Sequence, residues 1–150
     1  ELWIASSFDK LKEQFPEKIG WKNGHDNYLA HLIEAGSDLY LMPSLYEPCG
    51  LNQMYSLRYG TLPIVRNVGG LKDTVINYQE NSQKGNGFIF EDPNAEAVAE
   101  AVDFAVKIFY RKPARFRKMI DRAMNQRFTW TAAAEKYSAL YQKTSNQGVK

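Results

Sequence analysis

The sequence predicts an α/β fold, in which a Rossmann-like parallel sheet carries helices on both faces and C-terminal helices follow. Short apolar runs without polar alternation are typical of strands buried on both faces of a parallel sheet. These runs alternate with segments of helical spacing, as in βα units joined by right-handed crossovers. The chain has 150 residues, of which 44% are hydrophobic, and this suits one domain with a sizeable core.

The first quarter of the chain is predicted to hold two strands and two helices. The apolar run at residues 2–5 predicts a buried strand. A helix follows, for which Ser7 is a candidate N-cap and Pro16 a stop. Residues 19–21 predict a second short strand. Asp26 is a plausible N-cap for the next helix, which carries apolar residues on one face.

The middle of the chain supplies the strongest strand signals. Residues 39–42, 62–65 and 87–90 are short apolar runs; Pro43 stops the first, and Gly87 opens the third. A helix is expected over residues 51–59, between the first two of these runs. Residues 73–78 predict a short helical turn before the third.

Beyond the third run the pattern is helical only. Apolar residues recur at helical spacing over residues 97–108, and residues 111–113 include a proline that breaks the helix. A second helix is predicted over residues 114–126. A third starts near Thr129 and carries apolar and aromatic residues.

Composition excludes several classes of function. The chain has 19 Lys and Arg against 17 Asp and Glu, a net charge of +2, which gives no electrostatic case for binding nucleic acid or an anionic membrane. Its single cysteine, Cys49, excludes an internal disulfide. With only two histidines, a zinc site is not expected. The basic cluster over residues 111–122 is interpreted as a solvated face.

The loop after the strand at residues 39–42 is the first candidate site. It contains Glu47 and Gly50 and leads into the helix that starts near Leu51 and Asn52. Backbone N–H groups at a helix start attract anions, and a glycine lets a phosphate approach closely. A carboxylate beside them suits sugar hydroxyls. The alternative is a solvated acid in an ordinary turn.

A second candidate loop follows the strand at residues 62–65. Gly69 and Gly70 permit either a tight turn or the close approach of a ligand. Cys49 is a possible nucleophile but is interpreted as a small packing residue. His25 follows a predicted strand and is a candidate ligand contact, whereas His31 is interpreted as structural.

These motifs closely resemble those of bacterial glycogen synthases and plant starch synthases. The resemblance extends from about Gly20 to Tyr141. The segments that carry it are residues 38–44 (DLYLMPS), 47–53 (EPCGLNQ), 59–66 (YGTLPIVR), 69–75 (GGLKDTV), 87–90 (GFIF) and 128–130 (FTW).

The resemblance implies a retaining glucosyltransferase with two Rossmann-like domains facing a cleft, the GT-B arrangement. It implies transfer of glucose from ADP-glucose to the non-reducing end of an α-1,4-glucan. The implied partners are the nucleotide sugar, the glucan and an N-terminal domain of the same parent chain, with no cofactor and no metal. It favours a cytoplasmic bacterial parent over a plastidial one.

The resemblance also assigns roles to individual residues. Glu47 matches the acid that hydrogen-bonds the donor glucose and is the catalytic candidate. Cys49, Gly50 and Leu51 match the loop whose backbone faces glucose and diphosphate, and Asn52 falls near the phosphates. His25 falls where relatives stack a tyrosine on adenine. Gly69 and Gly70 form a candidate loop on the phosphate side.

The family's second domain begins with a strand and a basic loop that nothing here matches. Residues 1–150 are therefore expected to be one domain, a fragment of the C-terminal nucleotide-sugar domain. Such a fragment is expected to bind donor but to be inactive alone, with an exposed final helix that promotes association. Two alternatives remain: a related glycosyltransferase using UDP-glucose or another donor, and a degenerate module that binds glucan or a partner protein.

Overall fold

A three-stranded parallel sheet forms the centre of the fold. The computed structural model describes residues 2–147, with side chains for residues 3–145. Strands β1 (Leu39–Met42), β2 (Leu62–Arg66) and β3 (Phe88–Phe90) lie in the order β1-β2-β3. Leu39 pairs with Leu62, and Ile64 pairs with Phe88. The three central strand predictions are confirmed, and all three carboxyl ends lie at one edge of the sheet.

Seven helices accompany these strands within residues 2–147. They are α1 (Leu2–Gln14), α2 (Asn27–Gly36), α3 (Asn52–Tyr59), α4 (Leu71–Thr74), α5 (Ala95–Arg111), α6 (Pro113–Asn125) and α7 (Trp130–Gln147). The predicted helices of the middle and C-terminal segments are confirmed to within a few residues. The short turn expected over residues 73–78 occurs earlier, as α4.

Local signals account for several helix boundaries. The carboxylate of Asp26 accepts a hydrogen bond from the amide of Leu29 at 3.0 Å, as expected of an N-cap. A hydrogen bond from Lys22, supported by the amide of Leu29, holds the pKa of Asp26 below its usual range. Asn94 caps α5 through the amide of Ala97 at 2.8 Å. The cap predicted at Asp26 is therefore confirmed, and the cap at Asn94 is a finding of the structure.

The first predicted strand is wrong, because residues 2–5 belong to helix α1. Ile4, Phe8 and Leu11 recur at helical spacing, which a four-residue window conceals. Ser7 lies inside this helix and donates its hydroxyl to the carbonyl of Trp3 at 2.8 Å, so it is not an N-cap. The second predicted strand is also wrong, since residues 19–21 are in neither strand nor helix.

The chain divides between His31 and Leu32 into two compact units. In the first unit, Phe8 and Trp21 stack with ring centroids 4.6 Å apart. The apolar residue Trp21 is therefore explained by its stacking on Phe8 and not by pairing in a strand.

The second unit contains the sheet, which buries apolar side chains on both faces. On one face, Ile64 and Phe88 pack with residues of α3, α5 and α6, among them Leu57 and Met119. On the other, Val65 packs with smaller apolar residues of α4 and its flanks. This is the two-faced arrangement that the sequence predicts, and it fixes the loops at the carboxyl edge.

Helix α7 presents its large apolar side chains to solvent. Trp130 is 91% exposed, and Tyr137, Leu140 and Tyr141 are each more than half exposed. The exposed apolar face expected of the final helix is therefore present. No helix in the described part of the chain has the length and apolar character needed to cross a membrane.

Candidate functional site

The two candidate loops meet at the carboxyl edge of the sheet. The amide of Gly70 donates a hydrogen bond to the carbonyl of Glu47 at 3.1 Å. A Cβ on Gly69 would lie 1.8 Å from that same carbonyl oxygen, and a Cβ on Gly70 would lie 2.6 Å from the carbonyl oxygen of Cys49. Only glycine fits such contacts, so the glycine pair accommodates the acidic loop and is more than a simple turn.

Helix α3 begins directly after this contact. Gly50 has φ +71°, a left-handed conformation that favours glycine and turns the chain into the helix. Leu51, at the N-cap position, makes no side-chain capping bond within residues 2–147. The amide of Met54 already donates to the carbonyl of Leu51 at 2.9 Å. The N–H groups of Asn52 and Gln53 are therefore those left to an anion, with the helix dipole in their favour.

Glu47 is half-buried beside this helix start. Its carboxylate makes no hydrogen bond or ion pair with any other described residue. An ionised carboxylate offers acceptors only, so it suits hydroxyl donors rather than phosphate. The backbone of Glu47 is fixed by Gly70, whereas its side chain is available for a ligand.

Cys49 and Asn52 take different positions in the loop. The thiol of Cys49 is free and exposed. Asn52 is the first residue of α3, and its side-chain amide donates to the hydroxyl of Tyr40 on β1 at 3.2 Å. This bond directs the Asn52 amide toward the sheet, while its backbone belongs to the helix start.

Gln53 is a structural member of the site that local sequence patterns did not identify. It is fully buried, and its Nε2 lies 3.0 Å from the carbonyl of Cys49 and 3.1 Å from that of Gly50. The same nitrogen lies 3.2 Å from Oγ1 of Thr74 on α4. Since Thr74 in turn donates to the carbonyl of Gly70 at 3.0 Å, Gln53 connects both loops.

Arg66 is the second residue that sequence reasoning did not assign. Its Nη1 donates to the carbonyl of Leu45 at 2.7 Å, and its Nε donates to the carbonyl of Glu91 at 3.0 Å. The guanidinium thereby joins the segments that leave β1 and β3. The sequence shows a basic residue at the end of β2. It does not show what that residue contacts, because Leu45 and Glu91 are distant from Arg66 in sequence.

His25 lies in the first unit, where it is exposed and follows Gly24. The loop around Glu47 belongs to the second unit. Across residues 2–147, no group of three or more His, Cys, Asp or Glu side chains is arranged to hold a metal ion.

The comparisons with known proteins give one consistent result. The family model described as glycosyl transferases group 1 matches residues 9–123. The chain is 46% identical over 139 residues to the glycogen synthase of Aeromonas hydrophila, covering 93% of this chain and 29% of that protein. It is 49% identical over 141 residues to glycogen synthase 1 of Geobacter sulfurreducens, covering 94% of this chain and 28% of that protein.

Among solved structures, the fold is similar to the catalytic domain of starch synthase IV from Arabidopsis thaliana, which was solved bound to ADP and acarbose. The TM-score is 0.80 at 31% identity, covering 92% of this chain and 29% of that one. Sucrose-phosphate synthase from Thermosynechococcus elongatus shares the fold, with a TM-score of 0.62 at 21% identity.

The chain spans less than a third of the length of the two glycogen synthases described above. The predicted resemblance to glycogen and starch synthases is confirmed, and so is the expected α/β fold. The family match covers more than half of the 150 residues. This chain therefore belongs to the glycosyl transferases group 1 family.

Proposed function

We propose that this chain is part of the nucleotide-sugar domain of a glucosyltransferase of the glycogen or starch synthase type. The parent would transfer glucose from ADP-glucose to the non-reducing end of an α-1,4-glucan, with retention of configuration. The observation that carries the proposal is the contact between the Glu47 loop and the Gly69–Gly70 pair, beside the uncapped start of α3.

Each group at this edge has a chemical role in the proposal. The carboxylate of Glu47 accepts hydrogen bonds from hydroxyls of the donor glucose and positions the sugar. The backbone from Gly50 to Asn52 receives the diphosphate, because helix N–H groups and the dipole stabilise negative charge there. That stabilisation is most useful when charge develops on the leaving diphosphate.

In the proposed site, the backbone of Cys49 and Leu51 faces glucose and diphosphate. We propose separately that His25, in the first unit, stacks on the nucleotide base. Gly69 and Gly70 are proposed to act on the phosphate side by letting the second loop pack directly against the carbonyls of Glu47 and Cys49. The proposed chemistry uses no cofactor and no metal, because helix N–H groups of this chain and basic side chains from the rest of the parent would neutralise the diphosphate.

We further propose that this chain holds the donor half of a two-domain cleft and does not transfer glucose alone. The relatives are more than three times as long, which leaves room for a second domain with the acceptor site. Because these relatives are bacterial, we also propose a cytoplasmic parent.

A calorimetric titration of the chain with ADP, UDP and ADP-glucose tests this proposal. ADP is expected to bind more tightly than UDP. Replacing Glu47 by Ala should weaken ADP-glucose about tenfold, the loss of a charge-assisted hydrogen bond, while leaving ADP binding nearly unchanged. Glu100→Ala, which removes an exposed carboxylate from α5, is the matched control and should change neither.

Other results would redirect the assignment. Preferential binding of UDP would favour a glycosyltransferase with a different donor. Binding of a glucan without any nucleotide would favour a degenerate glucan module. If Glu47→Ala weakens ADP and ADP-glucose equally, the carboxylate does not act on the sugar.

A further inference from the structure

A cavity lies at the opposite edge of the sheet from the Glu47 loop. It has a volume of about 300 Å³ and is formed by residues 78–83 and by helix α6. Residues 78–87 lead into the amino end of β3, whereas the Glu47 loop follows the carboxyl end of β1. The cavity is therefore separate from the proposed donor site.

The lining of this cavity is positively charged. Arg115, Lys118 and Arg122 contribute three cations, and Glu80 contributes one carboxylate. Lys112 forms an ion pair with Glu80, and its hydrogen bond holds the pKa of that carboxyl below its usual range. Because Glu80 is already paired with Lys112, it does not neutralise the other three cations, and the lining of the cavity carries a net positive charge.

Two of the cations are held in place by backbone groups. Arg122 donates from Nε to the carbonyl of Gly85 at 2.8 Å, and Arg115 donates from Nη1 to the carbonyl of Glu80. A guanidinium has five N–H donors in a fixed plane, so each keeps donors for a ligand. The interpretation of this basic cluster as a solvated face was therefore incomplete, since the cations organise the loop.

The remaining cation is available. Lys118 makes no ion pair or hydrogen bond with another residue in the part of the chain that is described. It lies one helical turn from both Arg115 and Arg122, so all three side chains share one face of α6.

A buried hydroxyl adds a second, independent feature. Tyr78 lines the cavity and is only 6% exposed. Its hydroxyl is buried and has no hydrogen-bond partner among residues 3–145. Buried hydroxyls are normally satisfied, because leaving one unpaired is costly. A ligand oxygen that reached this hydroxyl would satisfy it.

We propose that this cavity binds a phosphate dianion, either free or as the monoester of a sugar. Planar guanidinium groups match phosphate oxygens, and a lysine adds a point charge. The volume admits a ligand of the size of a sugar phosphate, and Ser82 and Asn81 supply neutral polar groups for hydroxyls. A neutral glucan would leave the surplus charge unused, so it fits less well.

A titration of the whole chain with inorganic phosphate, followed by amide nitrogen–proton NMR, tests the proposal. Saturable shifts are expected at residues 80–85. Replacing Lys118 by Gln should weaken binding about tenfold, the loss of one charge-assisted contact. Arg117→Gln is the matched control: it removes one positive charge from the same helix, and Arg117 does not line the cavity.

Two further measurements distinguish the possible results. Glucose 1-phosphate should bind more tightly than inorganic phosphate if the physiological ligand is an ester, and equally if it is the free ion. Tyr78→Phe should weaken either ligand while the chain stays folded. Equal losses in Lys118→Gln and Arg117→Gln would overturn the proposal in favour of diffuse charge.

The proposed donor site also attracts anions, so the location of the shifts matters. Phosphate shifts confined to residues 50–53 would overturn the cavity proposal while leaving the donor proposal standing. Phosphate shifts at residues 80–85 that persist in Glu47→Ala would support the cavity proposal. If ADP does not bind in the same experiments, the donor proposal is overturned while the cavity proposal stands.

Discussion

The amide nitrogen of Gly70 lies 3.1 Å from the carbonyl oxygen of Glu47 and donates a hydrogen bond to it. Two loops that follow different strands are thereby joined at the residue proposed to hold the sugar. The position of the Glu47 carboxylate consequently depends on backbone contacts made by the glycine pair, as well as on its own loop.

Replacing Gly69 by Ala should disrupt this contact. The added Cβ would lie 1.8 Å from the carbonyl oxygen of Glu47, and the residue has φ +49°, so the backbone must move. We expect a loss of stability of about 2 kcal/mol, together with weaker donor binding. Urea denaturation and calorimetry measure the two effects. Gly36→Ala, where nothing lies within 4 Å of the added Cβ, should retain both properties.

Replacing Gln53 by Ala should loosen both loops. The carbonyls of Cys49 and Gly50 would lose their donor, and Thr74 would lose its contact with the first loop. We expect the free energy of unfolding to fall by about 1–3 kcal/mol. An exposed glutamine supplies the control, and Gln79→Ala should change the urea midpoint little.

Replacing Arg66 by Lys should preserve the positive charge but break the link between the segments that leave β1 and β3. A single ammonium cannot reproduce the planar fork that reaches the carbonyls of Leu45 and Glu91. Donor affinity should fall several-fold with a smaller change in stability, about 1 kcal/mol. Unchanged ADP-glucose affinity in Arg66→Lys would show that the segment leaving β1 keeps its position without the guanidinium.

Replacing Leu57 by Ala tests the core behind the sheet. Leu57 is fully buried on α3 and packs in the same cluster as Ile64 and Phe88. Removing its side-chain atoms should cost about 3 kcal/mol, since a cavity remains. Leu140→Ala makes the same truncation at a side chain that is 53% exposed, so a similar loss there would contradict the packing described.

The ion pair between Glu80 and Lys112 should give a defined pH response. Because Lys112 lowers the pKa of the folded Glu80, ionised Glu80 stabilises the fold above its ordinary pKa of 4.5. That contribution is lost as the pH falls through the lowered value. The carboxyl carbon shift of Glu80 should titrate at higher pH in Lys112→Gln, whereas Lys107→Gln should leave it unchanged.

The parts of the fold that the sequence predicts are those with strong local signals. Residues 39–42 and 62–65 are continuous apolar runs, and they form strands because both faces of the sheet are covered. Asp26 caps α2 through a bond to the amide of Leu29, three positions away, and such a local contact is predictable from the sequence.

The wrong strand predictions fall where an apolar run is too short for its spacing to distinguish a strand from a helix. Residues 2–5 suit a strand or a helix equally, and only the continuation through Phe8 and Leu11 favours α1. The hydrogen bonds of Gln53 and Arg66 could not be predicted from local sequence patterns for another reason. Their partners, such as Thr74 and Glu91, are brought near only by the folded sheet.

The parallel register determines when the strands can pair while the chain is being synthesised. Leu39 pairs with Leu62, and Ile64 pairs with Phe88, so each pairing joins distant parts of the chain. Parallel pairing requires a crossover, and such non-local contacts form late. During synthesis, the apolar edge of β2 stays open until the chain has reached Phe90. Aggregation of the nascent protein is therefore a hazard of that interval, when the central strand still lacks a neighbour.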